Sequence, residues 1–305
     1  MGKDGMDLLY LLSLSNLVGG ISTAVALQHP YFNGISTDTV LSVPRTPYIK
    51  NETKRFQIST IHRAPVVDWL FEIVTVFNKN TKTVYLAMEY LDLYLHKISN
   101  NEQELENIDS ELQLIAATCL YIASKCNDDV PIRIDDLPFC ADKIFVTTDI
   151  LHLEEGILRE TECNLIVPTL YDVVLSYLEH LKKDAKSKIF WLSMYISELA
   201  LQCTELKQFS LPTIAAAIVT ISLYSLEEWT EYAQDLFNIT HLDFSQIIAC
   251  YIDLSFWLQL QANFPFLKII KRRYSKDSRM RVASTHLILL SSAQLMTVLP
   301  TIDSR

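Results

Sequence analysis

Glycine is scarce in this chain, six in 305 residues, and histidine and cysteine are few and dispersed, at seven and six. With so little glycine and half its residues hydrophobic, the chain reads as packed and globular, mostly not disordered. No glycine-rich phosphate loop, H-E-x-x-H pair, Ser/His/Asp set or metal-spaced cluster occurs, which argues against a helical enzyme. No cofactor and no metal are expected. The cysteines, at 119, 126, 140, 163, 203 and 250, show none of the short spacings of zinc or redox motifs. Several lie in apolar helical runs, where a reduced thiol acts as a small hydrophobe, so a reducing compartment, cytosol or nucleus, is expected. Basic residues are outnumbered, 26 against 36 acidic, for a net charge of −10. That disfavours a general nucleic-acid binder; it suits a basic protein partner, or simply solubility.

No stretch makes a convincing membrane span. Leu8–Leu12 and Leu17–Leu27 are apolar, but Ser13, Ser15, Asn16, Gly19 and Gly20 interrupt them. Asp4 and Asp7 spoil the basic flank of a signal peptide, and Met6 stands where a myristoylation motif needs Ser or Thr. Residues 1–30 are therefore read as a poorly patterned leader.

What is present centres on Leu112–Cys126, LQLIAATCLYIASKC, apolar or small on every side until Lys125. A helix hydrophobic all round belongs inside a bundle, and Ala116, Ala117, Ala123 and Ser124 let neighbours approach closely. Lys125 marks the end where burial should stop. The pattern recurs 99 residues on: Leu112, Ile115, Ala116, Ala117 and Ile122 meet Leu211, Ile214, Ala215, Ala216 and Ile221. Tyr85–Leu95 likewise reads like Trp191–Leu201. Two matching helices in the same order point to two copies of one domain. The copies differ at Lys125, which falls opposite Tyr224.

Periodicity and turn signals predict five helices per copy. In the first, a helix spans about Ser59–Phe77, with Ile61 on its apolar spacing; Pro65 must sit in its first turn, which places the true start near Ala64. A second, capped by Thr81, runs to Leu95. After a polar connection, His96–Ser110, comes the central helix, ended by Asn127–Pro131. Then follow Ile134–Cys140, broken by Pro138, and a fifth helix from Thr147 or Thr148 to about Cys163. Pro168 marks the joint. The second copy comprises Thr169–Lys182, Ser187–Glu205, Pro212–Tyr224, Thr230–Phe237 and Phe244–Leu260. The chain thus divides into the leader, 1–30; a first fold with its approach segment, 31–166; a second fold, 167–265; and a tail, 266–305. The tail is basic over Lys268–Arg281 and apolar over Leu287–Ile302, a stretch expected to pack back on the bundle or to bind another protein.

Four segments, in order and at family spacing, resemble the cyclins. HRAPVVDWLFEI (His62–Ile73) is similar to the signature M-R-A-I-L-V-D-W-L-x-E-V. TKTVYLAMEYLDLYL resembles the family's second helix, LQLIAATCLYIASK its third, and LEEGIL (Leu153–Leu158) its fifth. The second copy resembles the C-terminal fold of A- and B-type cyclins, and the likeness covers about 31–262. It implies an all-α protein of two tandem five-helix cyclin-box folds: a non-catalytic regulatory subunit that binds and activates a cyclin-dependent protein kinase, in cell-cycle control or transcription, in nucleus and cytoplasm.

The resemblance also assigns residues. Lys125, Glu154, Glu155 and Asp128 are expected at the kinase contact, around the kinase's mobile regulatory helix. Trp69, Glu72 and Gln113 match a docking groove for Arg-x-Leu substrates or inhibitors, with His62, Val66 and Pro65 replacing Met, Leu and Ile. The smaller Val66 and polar His62 should cost about 1 kcal/mol of apolar contact. Arg63 and Asp68 are expected to form an internal charge pair tying the first helix to the bundle. The basic run Lys268–Arg281, with Lys271, Arg272 and Arg273 at its centre, is a candidate nuclear import signal or an anion-binding patch, the alternative being a solvated helix flank. Leu93 stands where the family usually has Arg, and Cys126-Asn127-Asp128 where it has an aromatic and two Glu; Asp128 and Asp129 keep the acidity, though partner choice can shift. No Arg-x-x-Leu destruction box and no Lys-Glu-Asn occur, so a divergent member, viral or protist, is expected. The alternative is a transcription adaptor of the same fold that activates no kinase; the net acidity and the lack of an N-terminal zinc ribbon count against a general initiation factor. Direct contact with nucleic acid or membrane is not expected.

Overall fold

The computed structural model describes residues 58–98, 108–240, 242, 244–291 and 294–295. The chain forms two units, Met1–Glu52 and Thr53–Arg305, and all described residues belong to the second. The leader, the approach segment up to Gln57 and the end of the apolar tail therefore lie outside the described residues.

Those residues are helical, with no strand among them. The first repeat comprises α1 (Thr60–Val76), α2 (Lys82–Ile98), α3 (Ile108–Asn127), a 3-10 turn (Ile134–Asp136) running into α4 (Leu137–Cys140), and α5 (Thr147–Glu160). The second comprises α6 (Leu170–His180), α7 (Lys188–Ala200), α8 (Leu211–Ser225), α9 (Trp229–Thr240) and α10 (Phe244–Leu260). A short helix, α11 (Ile269–Tyr274), and two 3-10 turns follow.

Each repeat wraps its apolar helix. In α3, Ala116, Ala117, Ala123 and Ser124 are fully buried, and α1, α2 and α5 pack around it. In α8, everything from Thr213 to Leu223 is buried, against α6, α7, α9 and α10. Small residues in both let neighbouring backbones close in. Starts are set by polar side chains: Thr169 with Asp172 forms a capping box on α6, and Ser187 and Ser210 cap α7 and α8, each contributing about 1 kcal/mol.

Three local expectations change. Helix α1 begins at Thr60, not near Ala64, and passes through Pro65 in its second turn. Proline takes away the N–H that would meet the Ile61 carbonyl; Pro65 is exposed and Ile61 is 72% exposed, so water can replace it. Ile61 is accordingly not a core residue. Thr81 does not cap α2: the Asn80 side chain accepts from the Lys82 N–H at 2.9 Å, and the Thr81 hydroxyl accepts from Arg273 instead. At α5 neither threonine caps; the Asp149 carboxylate reaches back to the Val146 N–H at 2.9 Å.

The repeats are joined by polar ties. Arg63, on α1 and almost wholly buried, makes two hydrogen bonds to Asp92 of α2 and donates Nε to the Leu201 carbonyl at 2.7 Å. Lys207 of the second repeat reaches the same Asp92 at 2.6 Å and Glu89 at 3.3 Å. Burial pushes the Asp92 carboxyl up, but the Arg63 and Lys207 cations outweigh it and hold it down at about 2. Tyr85 and Ser197 share a hydrogen bond of 3.0 Å across the same joint.

Arg63 and Asp68 therefore do not pair with each other. Five residues along a helix turns them about 140° apart. Asp68 serves a different neighbour: it accepts from the backbone N–H groups of Lys268, Ile269 and Ile270, each at 3.1 Å, and so caps α11. The basic segment is thus docked onto α1 and α7. Beyond it, Leu287, Leu289 and Leu290 pack back against the core, and Tyr251 accepts from the Leu290 N–H at 3.1 Å.

Candidate partner-binding site

Lys125 lies in the last turn of α3, where a cation also favours the helix dipole. Its neighbours Ala123 and Ser124 are sealed, so the chain emerges from the core at this residue. On α5, Ile150 and Ile157 are fully buried and fix which face meets α3. Glu154 lies between them on that face, so its carboxylate is carried against the end of α3. There Lys125 Nζ donates to Glu154 Oε1. The pair is partly screened from water, with side chains 19% and 10% exposed. The ammonium also lies 4.4 Å from the centre of the Tyr121 ring, a cation–π contact that favours the charge in place.

The other expected site residues divide. Glu155 faces solvent and pairs with Arg159 at 2.7 Å, one helical turn on. Asp128 is used within the chain: Oδ1 accepts from the Asn80 N–H, Oδ2 from the hydroxyls of Thr83 and Ser124. It clamps the end of α3 to the start of α2 and stays half-buried, so its established partners are internal. Ser124 extends the clamp by accepting from the Ile132 N–H at 2.9 Å. Asp129 remains exposed.

Composition at the site also matters. Val130, Phe139, Ile144, Val146 and Leu151 are all at least half exposed. They fall in the segment running from the Lys125 end of α3 to the first turns of α5. Leu151 sits three residues before Glu154, one turn away on the same helix. Five exposed apolar residues in the one segment that links the ion pair's two helices make it a candidate interaction surface. Sequence periodicity could not find them, because they occupy loops, the one-turn α4 and the start of α5.

The groove residues are less free than the resemblance implies. Trp69 is half-buried and donates its indole N–H to the Cys140 carbonyl at 3.1 Å. Glu72 is exposed, with Arg272 of the chain's own basic segment at 3.7 Å. His62 is exposed, and Val66 and Gln113 are half-buried. The basic run is not one exposed signal. Lys271 and Arg272 are exposed, but Arg273 is buried against Glu198, Thr75 and Thr81, where import machinery could not read it.

The profile of the cyclin N-terminal domain matches residues 31–166, and that of the cyclin C-terminal domain residues 173–287. The chain belongs to the cyclin family. It is 30% identical over 183 residues to human G2/mitotic-specific cyclin-B3, covering 59% of this chain and 12% of that protein. It is 28% identical over 241 residues to cyclin-A1 of Xenopus laevis, covering 79% and 54%, and 27% identical over 197 residues to cyclin-B2-2 of Arabidopsis thaliana, covering 65% and 44%. The chain thus spans at most about half the length of these curated relatives. Among solved structures, the viral cyclin of herpesvirus saimiri superposes with a TM-score of 0.52 at 18% identity, over 67% of this chain and 89% of that one, a likeness of fold. Cyclin family proteins are regulatory rather than catalytic subunits, and a cyclin-dependent kinase is the partner the family implies in general.

Proposed function

We propose that this cyclin binds a cyclin-dependent kinase through the Lys125–Glu154 surface and holds the kinase's regulatory helix in its active position. The observation that carries the reading is the half-buried ion pair between α3 and α5, with exposed apolar residues along the 130–151 segment that connects those helices. A lysine has three donors and no acceptor. One serves Glu154, leaving others for backbone carbonyls of a partner loop. The apolar residues would supply the area that such an interface needs, on the order of 2,000–4,000 Å². Activation then follows from differential contacts: whatever conformation of the kinase meets both features best gains population.

Docking of Arg-x-Leu substrates or inhibitors at the α1 groove is a subordinate proposal. The smaller Val66, the engaged Trp69 indole and Arg272 beside Glu72 all argue for weak docking. Residence in nucleus and cytoplasm is proposed likewise, with Lys271 and Arg272 the exposed cations available to an import receptor.

The test is co-purification with a panel of cyclin-dependent kinases, followed by a kinase assay. One kinase should be retained and activated, and a variant carrying Lys125→Ala and Glu154→Ala should lose both effects. Retention without activation would favour the adaptor reading. Undiminished activation by the double variant would overturn the site.

A further inference from the structure

A second feature lies away from Lys125. Where the C-terminal end of α1 meets the segment after α11, a cleft of about 240 Å³ is lined by Lys79, Arg273, Lys276 and Arg279 and by the hydroxyl residues Thr75 and Thr81, with no carboxylate in its lining. Four cations line it in a chain whose net charge is −10; Lys79 Nζ already donates to the Val130 carbonyl at 2.6 Å, which leaves Arg273, Lys276 and Arg279 as the cations that face the cleft's ligand. One acid stands behind them: Glu198, wholly buried, whose Oε1 accepts from Arg273 at 3.0 Å and from the Tyr274 hydroxyl at 2.7 Å. Burial pushes the Glu198 carboxyl up against the pull of Arg273 and Arg279, and its Oε2 has no hydrogen-bond partner.

The guanidinium groups are not fully served by the protein. Arg273 is 5% exposed and lies 4.8 Å over the Phe71 ring. It donates to the Phe71 carbonyl, Thr75, Thr81 and Glu198, yet its Nε has no partner. Arg279 stacks 4.4 Å from the Tyr274 ring, and its buried Nη1 stands 4.0 Å from Glu198 without a hydrogen bond. Lys276 is exposed and makes no ion pair among the described residues. Buried donors are normally satisfied, and leftover cationic N–H groups beside a polar cleft call for an anion.

We propose that this cleft binds a single phosphate monoester, presented on a phosphorylated serine or threonine of a partner protein. Its volume falls below the ~300–1,000 Å³ of ordinary small-molecule sites, so a phosphate group fits where a nucleotide does not. Arginine forks match the phosphate oxygens in geometry as well as charge. The cations form a compact cluster on an acidic molecule, which suits one dianion better than a polynucleotide or an anionic bilayer.

The experiment uses the whole chain and isothermal titration. The probes are a capped phosphoserine, the same compound unphosphorylated, inorganic phosphate, and phosphatidylcholine vesicles doped with phosphatidylinositol phosphate. Capped phosphoserine should bind and its unphosphorylated form should not. Arg279→Ala and Lys276→Ala should each weaken it roughly tenfold, as loss of a charged hydrogen bond does. Lys271→Ala, exposed and outside the lining, should change nothing. Because Arg273 is buried and its variants risk unfolding, the proposal stands on the two outer cations. It is overturned if phosphoserine does not bind, if both variants bind it like the parent, or if only free phosphate or only the vesicles bind. No kinase takes part, so this result and the test of kinase activation can fail separately.

Discussion

Exchanging Lys125 and Glu154 separates the two things their ion pair can do. Lys125→Ala alone leaves a carboxylate that is only 10% exposed without its partner. Breaking a fully buried pair costs about 3–5 kcal/mol. Because the lysine side chain is 19% exposed and water can reach the gap, a loss of about 2 kcal/mol is expected here. For a body of this size that lowers the melting temperature by about 4–8 °C. The double exchange, Lys125→Glu with Glu154→Lys, restores an attractive pair between α3 and α5. A carboxylate at the end of α3 opposes the helix dipole by about 0.5–1 kcal/mol, so stability should return to within about 1 kcal/mol of the parent.

Kinase binding should behave differently. A partner loop that accepts hydrogen bonds from an ammonium meets a carboxylate in the exchanged protein, and the loss of about 2–5 kcal/mol expected for Lys125→Ala should persist. That is a weakening of at least about thirtyfold. The assays are thermal unfolding and titration of kinase activation, run on the single, the reciprocal single and the double variants. If the exchange rescues activation together with stability, the pair is an internal clasp and the argument for a partner surface fails.

Arg63→Ala should cost about 2–3 kcal/mol, because it leaves Asp92 to Lys207 alone and the buried Leu201 carbonyl without its donor; chemical denaturation measures it, and a loss under 1 kcal/mol would contradict the buried tie. The same joint predicts acid sensitivity: Asp92 is held near 2, below its unfolded value near 4. Its contribution, about 2 kcal/mol, is present above pH ~4 and is lost as pH falls from ~4 through ~2, so the Asp92→Asn variant should show a flatter stability curve in that window. Asp68→Ala should release the N-terminus of α11, seen as faster amide exchange at Lys268, Ile269 and Ile270; unchanged protection would refute the cap. Arg272→Ala should raise the affinity of an Arg-x-Leu peptide up to about fivefold by freeing Glu72, since an exposed pair contributes no more than about 1 kcal/mol; no change would mean that the groove does not use Glu72.

The central helices were legible because burial on all sides leaves an unmistakable pattern: no charge from Leu112 until Lys125 in α3, none at all in α8. Lys125 stood out for the same reason. Glu154 needed the resemblance, since a carboxylate between Ile150 and Ile157 is indistinguishable by period from any amphipathic helix. Asp128 was singled out for its acidity near Lys125; its internal role was not legible, because the turn after α3 folds it onto Asn80, Thr83 and Ser124. Arg63 and Asp68 were paired by proximity in sequence, against helical geometry. Their real partners, Asp92 and the α11 backbone, lie 29 and about 200 residues away, and no local pattern encodes such contacts. In the basic run composition could not sort the cations: a buried arginine and an exposed one look the same on paper.

The second repeat shows why duplication did not produce two sites. Where α3 carries Lys125, α8 carries Tyr224, stacked 4.5 Å from Trp229, so the equivalent corner is closed by rings. What the second repeat supplies instead is restraint. The Leu201 carbonyl and Lys207 hold the Arg63–Asp92 joint, and Glu198 holds Arg273, whose helix is capped by Asp68 of α1. Helix α1 is thus tied to α2, to the second repeat and to the C-terminal segment at once, and α3 lies against both α1 and α2. A protein that shifts another's conformation must not yield first, because any ordering of its own surface subtracts from the differential contact energy. On the proposed function, that requirement assigns the two halves different tasks: the first would meet the partner, and the second would keep the meeting surface from giving way.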